Sequence, residues 1–202
     1  MKYVSTRSEA PDLKFEDVLL TGLGRDGGLY VPKFWPKFSK KEIQELRGLN
    51  YAEVATRITY PFIGNAIPKK KFDEIVDQTY SRFNHNAIAP LKQIGPNQWV
   101  AELFHGPTLA FKDYPLQLVG RLFDYILEKH NKKVTIIGAT SGDTGSAAIE
   151  ACRDRKSIKI FILHPEGRVS EVQRRQMTTV RSNNISNIAL RGTFDDCQNM
   201  VK

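Results

Sequence analysis

The sequence has little that would staple or anchor a chain. Of its 202 residues only Cys152 and Cys197 are cysteines, and neither belongs to a CxxC or to a Cys/His cluster with metal-ligand spacing. A chain of this length can bury a sizeable core without disulfides, so ordinary reduced thiols and no metal are expected. No stretch reaches the ~20 apolar residues of a membrane span, and the start MKYVSTRSEAPDLKFEDVLL lacks the apolar core of a secretory leader. A cytoplasmic protein with no membrane partner is the expectation. Internal repeats and low-complexity tracts are absent as well, which argues against a solenoid or an extended linker.

What is present is a globular composition with a basic excess. Hydrophobic residues make up 41% of the chain, and 30 basic against 22 acidic side chains leave a net charge of +8. Such a charge suits nucleic acid, an anionic surface or a small anionic substrate equally. The densest run, Lys69 to Lys71, is followed by Asp73 and Glu74, as on a solvated helix face, and no nucleic-acid motif accompanies it. No nucleic-acid partner is therefore expected.

Two regions follow from the pattern of elements. Residues 1–87 read as a strand at Lys2 to Ser5 and then mostly helices: Phe15 to Leu23, Ser39 to Arg47, Tyr51 to Ile63 and Pro68 to Phe83. From residue 88 the texture becomes α/β. Strands are predicted at Trp99 to Phe104, Val134 to Ala139, Ile158 to His164 and Ile185 to Leu190. Helices are predicted after Asp113, at Ser146 to Arg155, at Ser170 to Thr178 and from Phe194 onward. Leu116, Val119, Phe123, Ile126 and Leu127 fall on one face of the helix that Asp113 would cap. This alternation predicts a parallel sheet with flanking helices. The last residues, FDDCQNMVK, read as a helix cut short, which suggests part of a longer protein.

Three segments bear on chemistry. Gly22, Gly24 and Gly27 match GxGxxG by letter, but a helical pattern precedes them and the extended LYVP follows, so they read as turn glycines. GATSGDTGSAA, Gly138 to Ala148, joins an apolar strand to a helix start and would aim backbone NH groups and the helix dipole at an anion. It is not a P-loop, and the same residues fit a tight crossover in which Ser141, Asp143 and Thr144 only cap the helix. In ELFHGPTLAFKDYPLQ, Lys112 stands between Phe111 and Asp113 just before a helix. Apolar surroundings and a helix N-terminus favour the neutral amine that imine chemistry needs, although most lysines at helix starts are merely solvated. His105 reads as a hydrogen-bonded packing residue. Arg168, Arg174 and Arg175 follow a strand end where ligands gather in open α/β sheets, so one of them could meet a phosphate.

Taken in order, YVSTRSEAPDLKFEDVLLTGLGRDGGLYVP, FHGPTLAFKD and ATSGDTGSAA resemble the N-terminal signature, the lysine motif and the cofactor loop of the threonine synthase family. The resemblance implies the tryptophan-synthase-β-like (type II) pyridoxal 5'-phosphate (PLP) fold. It also implies a PLP-dependent lyase activity in threonine biosynthesis, converting O-phospho-L-homoserine and water to L-threonine and phosphate. Carried over by position, Lys112 would hold PLP as a Schiff base and act as the catalytic base. Ser141, Gly142, Asp143 and Thr144 would form the loop facing the cofactor's 3'-oxygen side and the substrate carboxylate. The family's glycine-rich loop for the 5'-phosphate and its partner for the pyridine nitrogen would lie beyond residue 202. The protein would then be a monomer or homodimer. The alternative is a truncated, non-catalytic remnant that binds an anion or oligomerises through its open edge.

Overall fold

The computed structural model describes residues 1–201, so Lys202, the last residue of the expected terminal helix, lies outside the described residues. The chain forms two compact units, Met1–Tyr80 and Ser81–Lys202. The sequence texture changes at residue 88, while the packing divides at Ser81.

In the first unit, strand β1 (Lys2–Ser5) lies between β2 (Leu13–Lys14) and β3 (Tyr30–Pro32) in an antiparallel sheet, with Tyr3 opposite both Leu13 and Pro32. Alternation sets its faces, with Tyr3 and Ser5 buried and Lys2 exposed. Four helices accompany the sheet: α1 (Phe15–Thr21), α2 (Lys40–Gln44), α3 (Tyr51–Ile63) and α4 (Lys69–Tyr80). Helices α2 and α3 start at complete capping boxes, Ser39 with Glu42 and Asn50 with Glu53, which satisfy NH groups that a helix start leaves free. On α4 the buried Phe72, Ile75, Val76, Thr79 and Tyr80 follow the three-and-four spacing of one face. Rings of α3 meet that face, Tyr60 with Phe72 at 5.4 Å and Tyr51 with Tyr80 at 4.7 Å. Burying a Phe or Ile side chain here is worth about 1.5–3 kcal/mol. The GLGRDGG segment is a turn, as read: Gly24 N donates to Gly28 O and Gly27 N to Gly24 O, each at 2.8 Å.

The second unit opens with a hairpin of β4 (Leu91–Gly95) and β5 (Gln98–Ala101), of which only the second strand was legible in the sequence. The strand expected to reach Phe104 ends at Ala101, and residues 102–105 lead into the next turn. Helix α5 (Asp113–Lys129) precedes three βα steps: β6 (Val134–Ala139), α6 (Asp143–Cys152), β7 (Ile158–Pro165), α7 (Glu171–Thr178), β8 (Ile185–Leu190) and α8 (Phe194–Val201). The sheet is parallel in the order β6-β7-β8, with Ile136 opposite Ile160 and Ile160 opposite Ile185. Central β7 is buried along most of its length, with Lys159 its one exposed residue, as suits a strand flanked on both sides in the sheet. Its Ile158, Ile160 and Ile162 join Leu122, Ile126 and Leu127 of α5 and Ala147, Ile149 and Ala151 of α6 in the core.

Helix α5 buries Ile126 and Leu127 as expected, but its first turns depart from the expected face. Its buried side includes Asp113 and Gln117, while Val119 is 42% exposed. The first two turns of α5 are turned inward by polar contacts to the segment that precedes them. No helix among the described residues is long and apolar enough to cross a membrane.

Candidate functional site

Lys112 is the N-cap residue of α5, half-buried, and its side chain caps no backbone group. Its Nζ lies 4.8 Å from the centre of the Phe111 ring, a cation–π distance, and Phe111 and Leu109 on the same turn are exposed. The amine therefore stands beside an apolar edge that remains open.

Asp113 holds this turn. The sequence suggested a helix cap; instead Asp113 is the first helical residue and is fully buried. Its carboxylate accepts from Thr108 N at 2.8 Å, Thr108 Oγ1 at 2.9 Å and Gln117 Nε2 at 3.1 Å. Gln117 Nε2 also donates to Ala147 O of α6 at 3.3 Å. Burial pushes the Asp113 carboxyl above its ordinary range, against the pull of the Thr108 and Gln117 hydrogen bonds. Gly106 lies so close that a Cβ there would stand 2.5 Å from Asp113 Oδ2, which explains the glycine that opens the turn.

The β6–α6 loop is organised by Thr140, which the sequence did not single out. Buried Thr140 Oγ1 accepts from Gly142 N at 3.1 Å and Gly145 N at 2.9 Å, and Thr140 N donates to Leu163 O at 3.0 Å. Helix α6 consequently begins at Asp143, three residues before the expected Ser146, with Gly142 as its N-cap and no side-chain capping bond. Ser141, Asp143 and Thr144 are exposed at this helix start and make no cap, unlike the plain-crossover reading. Gly142 has φ +147°, and a Cβ on it would come within 2.5–2.8 Å of the Gln173 amide, so the position is closed to larger residues on both counts.

Helix α7 touches both segments. Gln173 Nε2 donates to Asp143 Oδ1 at 2.6 Å, and Gln176 Nε2 donates to Thr108 O at 3.0 Å. Met177, on the same helix, is fully buried. These glutamines carried no signal in the sequence. The remaining candidates stand as follows. His105 Nε2 bonds Glu102 Oε2 at 3.0 Å, and its ring packs on His85 and Phe104. Arg174 and Arg175 are both held by Glu171, at 2.9 and 2.7 Å, and Arg168 is exposed. Among the described residues no group of His, Cys, Asp and Glu is arranged to hold a metal.

The two loops thus bring an amine beside apolar surface and a helix N-terminus with exposed hydroxyl and carboxylate groups into one hydrogen-bonded assembly. Residues 2–80 match a family described as threonine synthase N terminus. Threonine synthase of Pseudomonas aeruginosa is 59% identical over 202 residues, covering all of this chain and 43% of that protein. The Saccharomyces cerevisiae enzyme is 40% identical, covering 99% of this chain and 42% of its own length. A crystal structure of PLP-bound threonine synthase from Brucella melitensis superposes with a TM-score of 0.96 at 54% identity, over all of this chain and 43% of that one. The Escherichia coli threonine synthase structure gives 0.85 at 34% identity, over 99% of this chain and 45% of that one. The chain spans less than half the length of the relatives it matches.

Proposed function

We propose, from a chain that corresponds over its whole length to the N-terminal portion of threonine synthases, that it supplies the lysine side of a PLP site. In this reading the full-length protein converts O-phospho-L-homoserine and water to L-threonine and phosphate. The observation that carries the reading is the joining of the Lys112 turn to helix α6 through Asp113, Gln117 and Ala147.

The residues present fit the cofactor. An aldehyde needs an accessible amine, and Lys112 has one on an open apolar flank. An anionic oxygen needs converging donors, and the start of α6 offers the exposed Ser141 and Thr144 hydroxyls beside the backbone NH groups that Thr140 does not hold. When bound, PLP supplies an electron sink that stabilises negative charge beside the substrate nitrogen. Lys112 would hold the cofactor and, once displaced by the substrate amine, carry protons at Cα and Cβ. Asp113 and Thr108 would keep its turn fixed. Ser141, Gly142, Asp143 and Thr144 would receive the 3'-oxygen side of the cofactor and the substrate carboxylate, with Gly142 giving close backbone approach. The exposed aromatic Phe111 would shield the amine from water. A cytoplasmic monomer or homodimer acting on a small molecule completes the proposal.

The test is Lys112→Ala in the full-length protein. The expected result is loss of phosphate release from O-phospho-L-homoserine with unchanged folding by circular dichroism. Retained phosphate release would remove Lys112 from the mechanism.

A further inference from the structure

Two segments 30 residues apart carry the candidate site, and each is tied to the next βα unit by a glutamine. On α7, residues 173 and 176 are separated by three positions and so share a face. Gln173 reaches the β6–α6 loop, donating to Asp143 Oδ1 at 2.6 Å, while its Oε1 accepts from Ser170 Oγ at 2.8 Å. Its amide also lies flat against Gly142, occupying the space a Cβ would need. Gln176 reaches the lysine turn, donating to Thr108 O at 3.0 Å. Thr108 is the residue whose N and Oγ1 both bond Asp113, one position from Lys112. The helix itself is anchored from beneath: Met177 is fully buried, and Asn187 Nδ2 of β8 donates to Met177 O at 3.0 Å.

From this placement we propose that α7 is a brace that sets the spacing between the lysine turn and the β6–α6 loop, with Gln173 and Gln176 as positioning residues for PLP binding. The inference rests on the PLP reading of the site. Neither glutamine needs to touch the cofactor. Each removes rotational freedom from one wall of the site by holding a polar group that faces α7. Side chains on the outward face of the same helix, such as the exposed Thr178, take no part.

The chemistry of the Gln173 pair allows a test that packing alone would not pass. Gln173→Glu keeps the size of the side chain but sets a second carboxylate against Asp143. Asp143→Asn preserves an acceptor for Gln173. The double variant Gln173→Glu/Asp143→Asn reverses donor and acceptor and re-forms the bond. Gln176→Glu removes the only kind of group at that position able to donate to a carbonyl at neutral pH.

The experiment uses the full-length protein carrying these substitutions, with Thr178→Ala as the control. PLP affinity is read from the imine absorbance, and amide hydrogen exchange of residues 106–112 and 141–146 is read without PLP. The expected result is a roughly tenfold weaker PLP affinity for Gln176→Glu and for Gln173→Glu, the size expected from losing one charge-sensitive hydrogen bond. Exchange should rise in residues 106–112 for the first variant and in residues 141–146 for the second. The double variant, read without PLP, should bring exchange in residues 141–146 back towards wild type. Wild-type affinity and exchange in both single variants, or a double variant no better protected than Gln173→Glu, would overturn the brace. Absence of an imine on wild-type Lys112 would instead overturn the PLP reading, with the exchange pattern still deciding whether α7 restrains the two loops.

Discussion

Asp113→Asn changes no shape, yet it should weaken the lysine turn measurably. The two carboxylate oxygens face donors on opposite sides, Thr108 N at Oδ2 and Gln117 Nε2 at Oδ1. An asparagine has one carbonyl oxygen, so whichever way it turns, its NH2 meets one of those donors. The Thr108 hydroxyl can rotate to accept, but the opposed NH group cannot. A buried donor left without an acceptor costs about 1–3 kcal/mol. For a chain of this size that corresponds to a fall in Tm of roughly 2–12 °C. The pH dependence gives a second handle. Because burial raises the Asp113 carboxyl above its ordinary range, this group contributes stability that is full below the unfolded value of roughly 3.9 and is lost as pH rises through the folded value. Asparagine has no such contribution. The gap between wild type and variant should therefore widen as pH falls from neutral towards about 4. Thermal unfolding of both proteins by circular dichroism across that range measures it. A variant within about 0.5 kcal/mol of wild type at neutral pH, or a gap that narrows on acidification, would refute the reasoning.

Thr140→Val should lower stability by about 2 kcal/mol, because Gly142 N and Gly145 N both lose a buried acceptor; the midpoint of urea unfolding checks it. The same variant should weaken PLP binding in the full-length protein, since the loop proposed to face the cofactor loses its internal hub. The thiols should be inert in the native state. Burial pushes Cys152 up to about 11 and raises Cys197 as well, so a disulfide reagent at about pH 8 should label neither until guanidinium is added, when both of the two react.

Much of this molecule is readable from its residues. Tyr51–Ile63 was bounded correctly because Asn50 and Gly64 punctuate its two ends, and β6 because it is a short apolar run before a Gly-containing turn. Strand β4 was missed because all but its last residue are exposed and no buried face imposes an alternation on LKQIG. Lys112 and the loop from Ser141 to Thr144 were visible as a motif in sequence, and the structure ties the two segments together. What ties them was not visible. Charged residues are seldom fully buried, so Asp113 reads as a surface cap until its three donors are seen. Gln173 and Gln176 lie 30 and 68 residues from the groups they hold, and a glutamine on an exposed amphipathic helix carries no local sign of such a partner.

The central claim is that Lys112 is the residue that holds the cofactor. Full-length protein should be mixed with PLP, reduced with borohydride and digested, and the modified peptide sequenced by mass spectrometry. The account predicts an imine band that reduction fixes onto Lys112, in the peptide containing Phe111 and Asp113. An imine fixed onto a different lysine, with Lys112 unmodified, would contradict it.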